Sequence, residues 1–469
     1  MFSSLRIRNY RLFAAGQVVS NTGTWMQRVA QDWLVLDLSH GNGSALGIAA
    51  GLQFLPMLLS PWGGAFADRY PKRRVLLITQ TLMGGLALIL GTLALTGTVR
   101  LWHVYLLAFA LGVVTVVDNP TRQTFVTEMV GQRDMSNAIA LNSAIFNLAR
   151  IAGPAVAGVV ISLVGTPLTF VLNAASYGAV LTGLLLMRTG ELRPIERTPR
   201  AKGQLRETLR YVRASPRLWV PMTLLFFVAT FGMNFQVTTA LMSRGQFHTG
   251  AGSFGLASTA YAVGALGGAL LAARRRRPSV RLQVAAALAF GILETLSGLM
   301  PTYWSFLALL IPTGLAVLLY TTAANSATQL GTTPQMRGRV MGVYLLVFLG
   351  GAPVGSPLVG WVAEQFGPRM SLISGGVISA VAAVAVGIML ARFTGTSVRD
   401  GIRPLVRLQP IGTGPQPQAR PLTQLLTLAQ LRSRAQLRSL PQVRSLAQLR
   451  PLAQLRPVAQ VRERARRSG

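Results

Sequence analysis

Twelve long stretches with little or no charge run along this chain, and they limit its fold more than any other feature. A helix needs about 20 apolar residues to cross the hydrocarbon core of a bilayer. Seven of the twelve stretches contain no Asp, Glu, Lys or Arg, and an eighth has only Arg339 at its first position. Only 12% of all residues are charged, against about 25% in a typical soluble domain. The sequence therefore predicts an all-α membrane protein with twelve transmembrane helices, at roughly 11–37, 43–67, 75–96, 101–127, 137–163, 167–187, 218–242, 251–273, 280–300, 302–329, 339–363 and 370–391.

The second half of the chain repeats features of the first. A glycine pair at 63–64, just before a basic turn, returns 204 positions later at 267–268, again before a run of arginines. Two pseudo-symmetric halves with a substrate site near the membrane midplane are typical of secondary transporters. We therefore expect a six-helix N-terminal half (1–190), a central loop (191–217), a six-helix C-terminal half (218–392) and a basic low-complexity tail (393–469).

The positions of Lys and Arg between the spans predict the orientation of the chain. Positive residues are concentrated in the cytoplasmic loops of membrane proteins. With the N-terminus inside, 24 Lys and Arg lie on the inner side and three on the outer side. We therefore expect both termini, the basic turn after the second span and the central loop to be cytoplasmic.

The tail has a pattern of its own. From residue 428 it repeats every six residues with an arginine in each repeat, and prolines at 441, 451 and 457 interrupt any helix. No lasting apolar face remains, which predicts a disordered segment. In a membrane protein such basic excess more often meets anionic lipid than nucleic acid. We expect the tail to rest on anionic lipid, and we expect no nucleic-acid partner.

The basic turn also carries a family motif. The stretch GGAFADRYPKRR (63–74) resembles the loop 2–3 signature of the major facilitator superfamily, with Pro71 and Lys72 as departures from it. The stretches NTGTWMQRVAQDWLVL, DNPTRQTFVTEMV and LNSAIFNLARIAGPAVAG resemble the bacterial branch of enterobactin (siderophore) exporters and drug-efflux proteins. Within the last of these, GPAVAG resembles the antiporter motif of segment 5. The matching positions are Gly64, Asp68, Arg69, Arg73 and Arg74 in the turn, and Gly153, Pro154 and Gly158 in segment 5.

The turn is a candidate cytoplasmic gate. An aspartate just past a helix end can cap the N-terminus of another helix, where the dipole favours negative charge. Asp68 could cap the helix that begins near Arg339 in the other half, and the resemblance implies that this latch holds the outward-open state. Asp118 and Arg122, four residues apart, could join Asp68 and Arg73 in one network. The alternatives are basic residues that serve orientation alone, and a kinked helix end with solvated charges.

The first span contains a polar face at helical spacing, formed by Gln17, Asn21, Trp25, Arg28 and Asp32. Charges inside a span are costly and usually face a cavity. We expect this face to line the cargo cavity, with Arg28 and Asp32 paired as i, i+4 neighbours. Asp32 is our candidate for the proton-coupling carboxylate, because it could exchange Arg28 for a proton. The alternative is a buried structural pair.

Further candidates lie in the later spans. Arg150 could neutralise an anionic cargo or Asp118, or serve a structural partner. Asn234 and Thr238 in segment 7, and Asn325 in segment 10, lie on uncharged polar stripes that could complete the cavity or bond neighbouring helices. Glu294 lies in a segment expected to face lipid, and the sequence suggests no role for it.

The remaining residue types argue against an enzyme. The chain has no cysteine, three scattered histidines and no phosphate-binding P-loop, so we expect no cofactor and no metal site. We expect a monomeric, proton-driven exporter in a bacterial plasma membrane, whose cargo is a small amphipathic molecule such as a drug, siderophore or secondary metabolite. The alternatives are uptake of a small solute by the same fold, which the antiporter-like motif disfavours, and a sensor or scaffold that acts through the tail.

Overall fold

The computed structural model describes residues 3–67, 69–192, 204–274, 280–333 and 335–394. Within these ranges the regular structure is entirely helical. Short 3₁₀ segments occur at Ser3–Arg6, Leu55–Leu59 and Thr189–Glu191, and π-helical segments at Val228–Gly232 and Met242–Gln246. The α-helices are α1 (Arg8–Leu38), α2 (Gly43–Phe54), α3 (Ser60–Ala67), α4 (Lys72–Leu95), α5 (Leu101–Leu185), α6 (Gln204–Ala214), α7 (Pro216–Phe227), α8 (Phe235–Leu241), α9 (Ala251–Arg274), α10 (Val280–Leu299), α11 (Tyr303–Leu330), α12 (Arg337–Gly350), α13 (Ala352–Phe366) and α14 (Pro368–Thr394).

The long helix α5 is divided by two glycines. Gly131 has φ of 69° and Gly165 has φ of 80°, in the left-handed region that residues with a Cβ rarely adopt. These breaks separate α5 into three helical segments, where the sequence predicted spans 4, 5 and 6.

Three of the remaining predicted spans are interrupted inside the bilayer-length stretch. Span 43–67 consists of α2, a 3₁₀ turn that contains Pro56, and α3, because proline removes a backbone donor and disfavours a continuous helix. Span 218–242 contains the π-helical segment Val228–Gly232 and a break before α8. Span 339–363 changes from α12 to α13 at Gly351.

Nine helical segments of the described residues are long and apolar enough to cross a membrane. Asp134–Leu185 counts once among them, although it has 52 residues and is broken at Gly165. Gly43–Leu59 is apolar but shorter, and α1 is absent from the nine because it contains many polar residues. By length and composition these segments are candidate membrane spans, as expected of a helical protein that crosses the bilayer many times.

The predicted central loop is partly helical. Helix α6 has Thr208 and Val212 buried, while Arg206 and Arg210 are exposed. Arg339 at the start of α12 donates a hydrogen bond to the Glu207 carboxylate (2.8 Å), which ties α6 to the C-terminal helices. The rest of the loop (193–203), Asp68 and the predicted tail from residue 395 onward lie outside the described residues.

Two helix pairs join the N-terminal group (α1–α5) to the C-terminal group (α7–α14). Helix α2 packs against α13, and α5 packs against α9. A Cβ placed at Gly360 would lie 2.3 Å from the Gly43 carbonyl oxygen, and one at Gly255 would lie 2.4 Å from the Pro154 carbonyl oxygen. Glycine at these positions lets the backbones approach closely, as is common between membrane helices.

Candidate transport cavity and its gates

A cavity of about 410 Å³ lies between the two groups of helices. Its size falls within the usual range for small-molecule sites. Most of its wall is apolar or aromatic, with two arginines and a few polar side chains. Predicted site residues that line it are Trp25, Arg28, Arg150, Pro154 and Asn234; the aromatic residues Phe54, Phe146, Phe235, Tyr261 and Phe348 complete much of the wall.

The two cavity arginines have unsatisfied donors. The Arg28 guanidinium lies 4.6 Å from the centre of the Trp25 ring and 5.9 Å from that of Phe54. In the described structure the Nε atom of Arg28 is buried without a hydrogen-bond partner. The same holds for Nε and Nη2 of Arg150. Guanidinium groups strongly favour planar oxygen acceptors such as carboxylates. The wall therefore combines aromatic faces with donors that could bind oxygen atoms of a ligand.

The predicted ion pair between Arg28 and Asp32 is not formed in the described structure, because Arg28 lies over Trp25 and Phe54 instead. Asp32 is 3% exposed, and its Oδ2 has no hydrogen-bond partner. Its carboxylate lies near the Gln236 side chain, and Gln236 itself lines the cavity. Asp32 is thus one helical turn beyond a wall residue and is not itself part of the cavity lining.

Gln17 and Asn21 belong to a different site from the one predicted. Their side-chain oxygens accept hydrogen bonds from Arg122 at 2.7 and 3.1 Å. Arg122 also forms the expected ion pair with Asp118, which is completely buried. These contacts engage the polar groups in helix packing, so neither side chain lines the cavity.

Sequence reasoning missed two members of this buried network. Thr79 Oγ1 and Gln80 Nε2 of α4 each donate to Asp118 Oδ1 at 2.7 Å. Thr79 and Gln80 are adjacent polar residues in an otherwise apolar span, and this polarity was the sequence feature that could have indicated a buried polar contact. The network joins α1, α4 and α5 within the N-terminal group.

The basic turn is only partly described. Arg73 does not contact Asp118; its Nε donates to the Leu184 carbonyl (2.7 Å) at the end of α5. The Arg69 backbone N–H donates to the Phe66 carbonyl at 3.0 Å. A Cβ at Gly64 would meet no atom within 4 Å, so this glycine is not needed for close packing in this conformation. Asp68 lies outside the described residues, and its latch stays a prediction.

Lys72, a departure from the family motif, has a partner at this end of the molecule. Its Nζ lies 2.7 Å from Glu128 Oε1, and both side chains are largely buried. The pair connects the start of α4 to the first segment of α5.

At the opposite end of α1, polar contacts join the two groups of helices. Arg244, in the π-helical segment after α8, forms an ion pair with Asp37 and lies over the Trp33 ring at 5.5 Å. Glu364 at the end of α13 accepts from Asn42 Nδ2 (2.7 Å) and from the Ser44 backbone N–H (3.2 Å). Asn42 is the N-cap of α2, so Glu364 supplies a second cap from the C-terminal group.

We call these contacts of Asp37, Asn42, Arg244 and Glu364 the α1-end latch. They lie on the same face as the close contact of Gly43 with Gly360, so the molecule is closed at this face. Sequence reasoning missed all four residues. Only the N-cap asparagine before α2 carried a local signal.

The antiporter-like stretch forms a seam between the groups. Gly153 packs on Trp25 and Thr22 of α1, and Gly158 packs on Gly252 of α9. The Pro154 carbonyl meets Gly255, as described above. The stretch thus connects a cavity residue, Trp25, to the contact between α5 and α9.

The polar stripes have mainly structural partners. Asn234 lines the cavity, but its Nδ2 donates to the Thr230 carbonyl (2.7 Å) and its Oδ1 accepts from Ser356 (2.8 Å). Thr238 bonds the Asn234 carbonyl within its own helix, and Asn325 accepts from Gln329 at 2.6 Å. Thr238 and Asn325 do not line the cavity.

The fold is that of solved membrane transporters. It resembles a bacterial homologue of the human lysosomal transporter Spinster in an inward-facing, unoccupied conformation, with a TM-score of 0.66 and 15% identity over 82% of this chain and 97% of that one. It also resembles a POT family transporter in complex with 5-aminolevulinic acid, with a TM-score of 0.66 and 12% identity over 83% and 97% of the two chains. At these identities the likeness concerns the fold.

The chain belongs to the family described as transmembrane secretion effector, which matches residues 1–400. It is 27% identical to the multidrug efflux pump Tap of Mycolicibacterium fortuitum over 77% of this chain and 90% of that protein. It is 24% identical to the enterobactin exporter EntS of Citrobacter koseri, over 75% and 88%.

A shorter match, 32% identical, is to the staphyloferrin A transporter of Staphylococcus aureus; it covers 33% of this chain and 39% of that protein. The predicted superfamily is thereby confirmed. The protein is a multi-pass transporter of the bacterial cell membrane.

Proposed function

We propose that the protein exports a small amphipathic molecule in exchange for protons, using twelve spans arranged as two six-helix halves. The observation that carries the proposal is the cavity between the two groups of helices, which is closed at one face by the α1-end latch. The similarity to the efflux pump and the siderophore exporter supports export as the direction.

The cavity wall supports a cargo with an aromatic or apolar body and an oxygen-rich group. Trp25, Phe54 and Tyr261 offer ring faces for the body. The unpartnered donors of Arg150 suit a carboxylate, phenol or carbonyl oxygen. Drugs and siderophores both include molecules of this description, and the wall does not select one of them.

Arg28 and Asp32 supply a route for coupling. In the present conformation Arg28 covers the Trp25 and Phe54 rings and leaves Asp32 unpaired. A cargo that binds to these rings displaces the guanidinium, which can then turn to Asp32 one helical turn away. A proton held by Asp32 is released as the ion pair forms. Cargo and proton therefore cannot be bound at the same time, and the exchange of cargo for protons requires this.

The positive charge of the loops supports placing the closed face outside, so that this conformation is inward-facing. The turn with Asp68 then faces the cytoplasm, where its predicted latch would form once the cavity opens outward. The proposal also retains a monomer, the four predicted parts of the chain and a tail resting on anionic lipid.

The first prediction concerns Asp32. Asp32→Asn removes the proton site, so proton-driven export is lost while cargo still binds to the aromatic wall. Inverted membrane vesicles with an imposed proton gradient are tested with a panel of fluorescent amphipathic compounds, and the compound that wild-type protein transports best is kept as cargo. Asp134→Asn, at a position that does not line the cavity, is the matched control. Undiminished proton-driven transport by Asp32→Asn contradicts the assignment.

A further inference from the structure

Glu294 on α10 is a buried carboxyl that the exchange of Arg28 and Asp32 does not use. It is 1% exposed, and its Oε2 has no hydrogen-bond partner. Among the described residues it forms no ion pair. A carboxyl group inside a membrane domain is costly in its charged form unless a cation or a proton neutralises it. Although the sequence predicts that this span faces lipid, the Glu294 side chain is buried within the protein.

The carboxyl group faces inward, against a helix break. A Cβ placed at Gly232, the last residue of the π-helical segment Val228–Gly232, would lie 3.0 Å from Glu294 Oε2 and 2.5 Å from Ser379 Oγ. A Cβ placed at Gly375 of α14 would lie 3.0 Å from Glu294 Oε1. Ser379 is fully buried, and its hydroxyl also lacks a partner. Two unpartnered polar groups therefore share one small site walled by glycine.

Among the described residues, few charged groups face this site. Tyr261 on α9 interacts electrostatically with Glu294 and also with Arg150. On α14, Arg369 lies nearer the helix start and donates to the Met300 carbonyl at 3.2 Å. On α11, Tyr320 lies towards Gln283 at the opposite end of α10. The π-helical segment itself contributes no titratable side chain.

The break connects the site to the cavity. Directly after the π-helical segment come Met233 and Asn234, which both line the cavity. Phe290, one turn before Glu294, packs on Phe235 (5.8 Å between centroids), which stacks on Tyr261 in the cavity wall (4.4 Å). Single-turn π-helical segments inside helices are frequent at functional sites.

We propose that Glu294 is a second proton-binding group of this transporter, and that binding of its proton sets the conformation of the helix break at 228–234. The Phe231 carbonyl oxygen lies beside the same glycine, Gly375, as Glu294 Oε1. The charged form of Glu294 is repelled by this oxygen, while the protonated form can donate to it or to Ser379. The conformation of the cavity wall at Met233 and Asn234 therefore depends on whether Glu294 is protonated. Only the assignment of this proton to the transport cycle rests on the proposed function. The test of the proposal requires no cargo.

The chain has no cysteine, so single thiol probes can be introduced without background. Purified full-length Met233→Cys protein is labelled with a fluorescent maleimide over a range of pH, and the rates are divided by those of Thr98→Cys, an exposed site in the α4–α5 turn. We expect the ratio to change several-fold with pH. We expect Glu294→Gln to abolish the change, and Glu191→Gln, at an exposed glutamate, to retain it. Glu294→Asp keeps the carboxyl group and should keep the change with a shifted midpoint.

A ratio that does not vary with pH in the Met233→Cys protein overturns the proposal. So does a pH dependence that survives in Glu294→Gln, or a midpoint unmoved in Glu294→Asp. A change produced at constant pH by sodium chloride but not by potassium chloride would assign the site to sodium and overturn the proton assignment. Any of these results leaves the vesicle test of Asp32 unaffected, so the two proposals fail separately.

Discussion

At the scale of single residues, Arg28 has two partners within reach: the aromatic rings it lies over and the Asp32 carboxylate one turn further along α1. A guanidinium over an aromatic face gains about 0.5–2 kcal/mol, more when the site is desolvated. An ion pair inside a membrane domain is favourable because each charge alone is costly there. We propose that the two arrangements are close in free energy, so that binding of cargo or of a proton can shift Arg28 from one to the other.

Replacing the ring tests this balance. Trp25→Leu removes the nearer aromatic face, so Arg28 pairs with Asp32 whether or not cargo is present. We expect cargo-induced proton release by the purified protein, measured with a pH-sensitive dye, to fall several-fold or more. Trp102→Leu, at an exposed position at the start of α5, should release protons as wild type does. Normal release by Trp25→Leu would show that the ring does not hold Arg28 in place.

At the scale of helices, the α1-end latch and the predicted Asp68 latch use the same physical device. In each, a carboxylate at the end of one helix caps the N-terminus of a helix in the opposite half, where unsatisfied N–H groups and the dipole favour negative charge. The observed cap is Glu364 on α2, and the predicted one is Asp68 on α12. Because the caps would lie at opposite faces, we expect one cap to form as the other opens.

The observed cap gives the third prediction. Glu364→Gln keeps the shape of the side chain but removes its charge, so the closed face should open in a larger fraction of molecules. Spin labels at Thr98→Cys and Pro301→Cys report the distance across this face, and we expect a longer-distance population to increase several-fold over the latch-intact protein. Glu191→Gln serves as the matched control. An unchanged distance distribution in Glu364→Gln would mean that the cap does not hold the face closed.

At the scale of the whole molecule, the sequence predicted the helical class and the superfamily, because hydropathy and the motif at 63–74 are local signals. Of the residues expected to line a cavity, Trp25, Arg28, Arg150 and Asn234 lie in the wall of the cavity between the helix groups, and a role for them in transport stays a prediction. The sequence did not predict that Gln17 and Asn21 would bind Arg122, 105 and 101 residues away. Nor did it pair Asn42 with Glu364, 322 residues away. Such contacts depend on helix packing, which no local pattern encodes.

The tail gives a prediction at the same scale. Its repeats carry no lasting apolar face, so transport should not require it. We expect deletion of 396–469 to leave the export rate in inverted vesicles within about twofold of wild type when corrected for the amount of protein. Loss of export by a truncated protein that still inserts normally would favour a scaffold that acts through the tail.

The central claim is that cargo and protons move in opposite directions, and reconstituted wild-type protein tests it most directly. Proteoliposomes are loaded with a pH-sensitive dye, and the transported compound from the vesicle panel is added outside without an imposed gradient. The account predicts that cargo entering the liposomes drives protons out, so that the interior becomes more alkaline. Acidification of the interior with cargo entry, or cargo entry without any proton movement, would contradict it.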